Sequence, residues 1–220
     1  MTVITISRQF GSGGDEIVER VCRILGYRVF DKTLIAKAAL DAGLSDQEVV
    51  DYSEENYKVA GFLDRLFRRQ QPVAQVRVWK EDVIGTRQAV TVPLSEENAL
   101  LLVQKAIEAA CRIGNVVVVG RGGQVLLKDC PDILHVRIIA PLEDRIQRVK
   151  AEYKLERRVA QDLIDARDTA SADYVRRLYG CDWSDPFLYH IILNTGKLEL
   201  EAAARLIVET AHRFQPVEIK

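Results

Sequence analysis

The run ISRQFGSGGDEIVERVCRIL, residues 6–25, constrains the fold of this chain more than any other stretch. A β-branched segment, TVITIS at 2–7, enters a turn that holds three glycines, and an amphipathic helix leaves it. Ile17, Val18, Val21, Cys22 and Leu25 recur at three- and four-residue spacing, and Gly26 stops the helix. Strand, tight turn and helix in that order are the opening of a βαβ unit.

The alternation continues along the chain. YRVFD at 27–31 reads as a short second strand, and a helix through Leu34, Ile35, Ala38 and Ala39 follows. SDQE at 45–48 is a capping box that starts another helix. Within 58–94, AQVRVW and QAVTV alternate like the strands of a small hairpin. Ser95, with Glu96 and Glu97 in the first turn, caps a helix that runs to Gly114. NVVVVG at 115–120 and ILHVRIIA at 133–140 are continuous apolar runs, as strands buried on both faces require. Pro141 opens the next helix, a charged helical segment spans 156–178, YHIILNT at 189–195 is the last strand, and LELEAAARLIVETAHRF closes the chain as a helix. The pattern predicts a parallel sheet, in which ligands sit beyond the carboxyl ends of the strands. That rule selects Arg8 to Gly14, Asp31, Arg121, the residues from Pro141 onward, and Asn194 with Thr195.

Composition narrows the function. The 220 residues are 48% hydrophobic and 29% charged, enough for one domain with a full core. With 31 basic and 32 acidic residues, the formal net charge of −1 gives no global attraction to nucleic acid or to an acidic membrane. No apolar run approaches the ~20 residues of a membrane helix, and MTVITISRQF lacks the features of a signal peptide. Cys22, Cys111, Cys130 and Cys181 are far apart, with no C-x-x-C pair, and the three histidines are scattered, so no metal site is expected. Cys22 and Cys111 fall on apolar helix stripes and read as buried free thiols of a reduced, cytoplasmic chain.

The glycine-rich turn carries the chemistry. Gly11, Gly13 and Gly14 allow positive φ and a close approach of ligand to backbone. The helix that follows offers unsatisfied N–H groups and a positive dipole end to an anion. Gly11, Ser12, Gly13, Gly14, Asp15 and Glu16 are therefore the candidate phosphate-binding residues. A Walker loop reads G-x-x-x-x-G-K-[ST], yet here Gly14, Asp15 and Glu16 stand at the basic and hydroxyl positions. Asp15 would repel a triphosphate, so other cations must compensate, and Arg8 is the nearest in sequence. The competing reading is a plain strand–helix turn with Asp15 as its cap.

With ITISRQFGSGG, LGYRVFDKTLI, VVVVGRGGQVLL, LHVRIIAPLEDRIQR, DYVRRLYGCDW and YHIILNT taken together, the chain resembles the cytidylate kinase-like family. Members typically read I-S-R-x-[FY]-G-S-G-G, already without the Walker lysine. The resemblance implies a P-loop NTPase-like, three-layer α/β/α fold: five parallel strands, helices on both faces and a helical lid. All 220 residues would form one domain, with 58–94 as the monophosphate-binding segment and about 150–180 as the lid. The implied reaction is transfer of the γ-phosphoryl of ATP, with Mg²⁺, to a nucleoside monophosphate such as CMP or dCMP. Arg8, Arg145, Arg148 and Arg167 would supply catalytic cations. Arg121, Asp31, Asp168 and Tyr174 would lie on the acceptor side.

The departures from the family pattern are specific. The lid motif D-x-x-R-x-x-Y becomes Asp168 to Tyr174 with Ser171 at the arginine, while Arg167 lies four residues earlier on the same helix face. Gly122 follows Arg121 where cytidylate kinases proper carry Asp for the base and sugar, and His190 stands where relatives often show Asp. Two alternatives stay open: a catalytically weak or inactive nucleotide-binding regulatory protein, and a kinase of another small-molecule acceptor. The expected partners are nucleotides or another phosphate acceptor, with a homodimer left open and no membrane. A nucleic-acid contact through the basic residues 64–87 is disfavoured against a solvated face.

Overall fold

The computed structural model describes residues 3–30, 74–81, 87–94, 104, 107–108, 110–112 and 114–214, with 74–81 and 87–94 described by their backbone alone. Strand β1 (Val3–Arg8) pairs in parallel with β5 (Val116–Val119) on one side and β6 (Ile133–Ile139) on the other. β2 (Arg28–Phe30) adds beyond β5, and β7 (Ile191–Asn194) beyond β6. The sheet order is β2-β5-β1-β6-β7, all parallel, as the alternation of strands and helices predicts. β3 (Ala74–Glu81) and β4 (Arg87–Leu94) form the expected antiparallel hairpin, a separate two-stranded sheet with Val78 opposite Val90. The chain winds first to one side of β1 and then to the other. The topological switch point therefore lies at the carboxyl end of β1, where doubly wound sheets hold ligands.

Period-two alternation gives the sheet two unlike faces. Ile4, Ile6, Val117, Leu134, Val136 and Ile138 face α1 (Gly14–Leu25) and α5 (Leu200–Arg213). The apolar stripe of α1, Ile17, Val18, Val21 and Cys22, meets Ala203, Ala204, Ile207 and Val208 of α5, whose alanines let the two helices approach. Each isoleucine sealed there contributes about 1.5–3 kcal/mol.

The opposite face is polar and still buried. Thr5, Ser7, His135 and Arg137 are each 4% exposed or less. Groups this deep need partners. Thr5 Oγ1 lies 2.7 Å from His135 Nδ1, and Trp183 Nε1 donates to Ser7 Oγ at 2.8 Å. Arg137 donates to the Trp183 carbonyl and to Tyr189 Oη (3.0 Å), its guanidinium 4.2 Å from the Trp183 ring centroid. That cation–π contact offsets part of the cost of burying the charge.

Two helices flank the polar side. α3 (Leu142–Tyr153) and α4 (Arg157–Tyr179) share the cluster Ile146, Val149, Ala160 and Ile164. α4 has 23 residues and is about 34 Å long. Its far end packs Tyr174 and Val175 against Trp183 and against Val125 of the short helix α2 (Gly123–Leu126). One helix thus reaches from the β1–α1 turn to the turn after β5.

His190 is structural. It stacks on His135 at 5.0 Å, its Nδ1 accepts from the His135 N–H, and Phe214 meets its ring edge-on. Burial first, and then the neighbouring His190, lower the His135 pKa to about 4. The folded imidazole stays neutral while the unfolded one takes a proton near 6.5. Stability from this group is thus whole above pH 6.5 and erodes as pH falls toward 4, by about 3 kcal/mol in all. Urea melts of wild type and His135→Gln between pH 7 and 5 should converge as the pH falls. Parallel curves would remove the claim.

No described helix is long and apolar enough to cross a membrane. All four cysteines are free, with Cys22 buried and Cys111 only half-buried, a correction to the expectation for Cys111. Burial raises the thiol pKa of both to about 11. Asp31, the helix expected at 34–39 and the capping box at 45–48 lie outside the described residues.

Candidate functional site

The β1–α1 turn opens onto a cleft of about 430 Å³ at the switch point. Gly11 and Gly13 take left-handed φ values of 76° and 78°, as expected of residues chosen for an anion turn. Gly14 does not share that conformation, contrary to the sequence expectation; it is the first helical residue. Its reason for being glycine is steric. A Cβ there would lie 2.6 Å from Arg8 Cβ and 2.7 Å from Arg8 Cγ, atoms too close to the backbone to swing aside.

Asp15 does not take the capping role that the competing reading gives it. The cap of α1 is Gly13, and the Asp15 carboxylate turns to Arg8, accepting from its Nε at 2.9 Å. The pairing is lopsided, with the Arg8 side chain 14% exposed and Asp15 74% exposed. Glu16 accepts from Arg20 one turn on, and Arg20 also reaches Glu201 of α5. Ser12 is fully buried, and its Oγ has no hydrogen-bond partner among the described residues.

The turn is held from three directions. Thr195, just past β7, donates to the Ser12 carbonyl at 2.6 Å. Arg148 of α3 donates to Thr195 Oγ1 (3.0 Å) and to the Thr195 carbonyl (2.9 Å), and approaches the Gly11 carbonyl. Asp168 of α4 accepts from the Phe10 N–H at 2.9 Å and from Arg145 Nη1 at 2.5 Å. Arg145 is buried and also donates to the carbonyls of Ala140 and Phe10. The residues expected as catalytic cations therefore divide. Arg8, Arg148 and Arg167 line the cleft, whereas Arg145 straps Asp168 to the turn behind it.

Arg167 and Ser171, one helical turn apart on α4, both line the cleft. The Arg167 guanidinium sits 5.7 Å from the centroid of the Phe10 ring, which Tyr153 flanks at 6.0 Å. Asp168 shares the cleft with them, while Tyr174 is buried in the Trp183 cluster away from it.

Arg121 lies at the carboxyl end of β5, 5% exposed, in a turn where Gly120, Arg121 and Gly122 all have positive φ (65°, 57° and 65°). A left-handed arginine costs about 1–2 kcal/mol, and such strain collects at functional positions. Tyr179, the last residue of α4, lies against Gly122, and a Cβ on Gly122 would come within 2.3 Å of its Cε2. The position where cytidylate kinases proper carry an aspartate is here covered by an aromatic side chain.

Of the residues lining this site, Gln9 and Phe10 were marked only by their place after β1, and Tyr153 was missed. Gln9 Oε1 accepts from the Ala140 N–H and ties the turn to β6. The side chains of Gln9, Phe10 and Tyr153 carry no chemical signal of their own. Thr195 was marked only by its place after a strand. Among the described residues, no group of three His, Cys, Asp or Glu side chains could hold a metal ion.

Known proteins agree with this architecture. Over 216 residues the chain is 23% identical to a cytidylate kinase of Pyrococcus horikoshii, covering 98% of this chain and 91% of the relative. A uronate isomerase of Corynebacterium glutamicum is 29% identical over 104 residues, but the chain spans only 20% of that protein's length and 47% of its own. The crystal structure of an uncharacterized protein from Eubacterium ventriosum superposes with a TM-score of 0.67 at 16% identity, covering 96% of this chain and 99% of that one, which bears on the fold. The model of the cytidylate kinase-like family matches residues 3–197, and the chain belongs to that family.

Proposed function

We propose that the protein transfers the γ-phosphoryl group of ATP to a nucleoside monophosphate, with CMP and dCMP the first candidates. The observation that carries the reading is the cleft at the switch point. Arg8, Arg148 and Arg167 line it together with Gly13, Gly14 and Asp15 at the start of α1.

The loop fits an ATP phosphate tail on its own features. Gly11 and Gly13 bring the backbone close and, among the described residues, the N-terminus of α1 has no side-chain cap and the buried Ser12 Oγ no partner. Mg²⁺ bound with ATP would be held mainly by the phosphates, with Asp15 and Glu16 the carboxylates at the loop, and would neutralise charge there. The remaining work falls to the chain's own residues. Arg8 and Arg167, both in the cleft lining, stabilise negative charge there. Arg148 and Asp168 fix the turn so that its N–H groups point at the phosphates. Positioning and electrostatics suffice, because phosphoryl transfer needs no covalent protein intermediate. Arg121 would meet the acceptor phosphate with its planar fork. The segment 58–94 would shape the acceptor pocket, and α3 with α4 would act as the lid.

A second reading rests on charge. Asp15, Glu16, Glu19, Glu152 and Asp168 line the cleft against Arg8, Arg148 and Arg167, five carboxylates to three arginines. That balance favours a protein that binds nucleotide but turns it over slowly. Incubation with Mg²⁺-ATP and a panel of monophosphates, following ADP release and thermal shift, separates the readings. Turnover with CMP or dCMP supports the kinase; a stabilising shift of about 2–3 kcal/mol at a hundredfold excess over Kd without turnover supports the regulator. Turnover with another acceptor alone moves the assignment to that substrate. Neither effect with any nucleotide would sink both readings.

A further inference from the structure

Laid on the Walker pattern with Gly13 as its second glycine, the chain has Arg8 at the first glycine and Gly14 at the lysine. The pattern's basic residue and one of its glycines have changed places. We infer that this is a compensated exchange. Arg8 supplies the loop cation from the opposite end of the turn, Gly14 is empty to admit it, and Asp15 is the positioning residue that aims it.

Three observations support the exchange. The Arg8 Cβ and Cγ fill the volume that a side chain at position 14 would need. Gly14 has no positive φ, so nothing in its own backbone asks for glycine; the arginine stem alone does. Arg8 Nε is bound at 2.9 Å by Asp15, one residue into α1, which holds the guanidinium over the first helical turn and on the wall of the cleft. An arginine rooted at position 8 brings a fork to the cleft in place of the point charge of a lysine.

Asp15 then has a purpose that offsets its repulsion of a triphosphate. An arginine on a flexible stem loses side-chain entropy when it is fixed on a phosphate. A carboxylate that already fixes Nε reduces that loss at the moment of transfer. The pair is exposed on its acidic side, and such pairs are weak enough for a phosphate to compete with them.

The proposal rests on the phosphate-binding reading, and the experiment separates the two. Arg8→Gly, Gly14→Lys and the double variant are compared by melting temperature and by ATP kinetics. Gly14→Lys alone should melt below wild type, because the lysine stem collides with Arg8, and the double variant should regain most of that loss. In ATP turnover each single variant should fall about a hundredfold, as when one donor to the transition state is lost. The double should recover to within tenfold of wild type. Asp15→Asn should lower kcat tenfold or more and change KM for ATP by less than threefold, and Asp15→Glu should restore part of kcat. Thermal rescue without kinetic rescue would keep the packing exchange and overturn the role of Arg8 as the loop cation. Additive losses in both assays, or an unchanged kcat in Asp15→Asn, would overturn the exchange itself. If wild type neither binds nor turns over ATP, the phosphate reading fails, and the cation role of Arg8 fails with it.

Discussion

Asp168→Ala should lower stability by about 3–5 kcal/mol, because it leaves the buried Arg145 guanidinium without its carboxylate. The Arg145 side chain is 9% exposed and Asp168 20% exposed, so water replaces the lost contact poorly. The same carboxylate accepts the Phe10 N–H, so the substitution also frees the start of the phosphate turn. Two functions therefore fail together. The melting temperature should fall by roughly 6–20 °C for a chain of this size, and nucleotide binding should weaken in whatever fraction stays folded. Asp168→Asn keeps an oxygen that can accept from Phe10 and should cost less stability than alanine. Urea melts of the two variants check the ordering. A loss below 1 kcal/mol for alanine would mean that Arg145 finds another partner and that the strap is not structural.

The second large effect concerns the acceptor side. Gly122→Asp would restore the residue type of cytidylate kinases proper, yet it should destabilise by about 2–4 kcal/mol without improving the use of CMP. Two costs add at that position. Its φ is 65°, and a Cβ would come within 2.3 Å of Tyr179 Cε2. Aspartate tolerates left-handed φ better than most residues, so the collision is the larger part. Tyr179→Ala opens the space. In that background Gly122→Asp should cost about 1 kcal/mol, and the difference between the two backgrounds measures the contact. Equal costs in both would show that Tyr179 moves aside freely. Any gain in CMP turnover from the single variant would show that the aspartate site is intact and only unused.

How far the sequence could be read follows from where the information sits. The strands at 116–119 and 133–139 were legible because continuous apolar runs admit few other folds, and their observed ends differ from expectation by a residue. The hairpin was legible from alternation alone. The phosphate turn was legible as a type, since glycines between a strand and a helix leave few alternatives. Its details were not. Gly14 reads as a conformational glycine until Arg8 is seen lying across it, and Asp15 reads as a cap until its carboxylate is seen turned to Nε. Longer contacts were further out of reach. Tyr179 covers Gly122 from 57 positions away, and Arg145, expected as a catalytic cation, and Asp168, expected on the acceptor side, pair with each other across α3 and α4 beside Phe10. Periodicity reports which face of an element is buried; it does not report which polar residues meet across two elements. Arg145 and Arg148 share a helix face by spacing, yet one is a strap and the other reaches the cleft.

The central claim is that the turn from Gly11 to Glu16 holds the phosphates of ATP. Hydrogen exchange of the backbone amides, with and without saturating Mg²⁺-ATP, tests it at the place it concerns. If the claim holds, the amides from Gly11 through Glu16 slow on addition of nucleotide, and those on the outer face of α5 do not. Unchanged exchange across this turn at saturating ATP, or protection confined to another part of the chain, would contradict it.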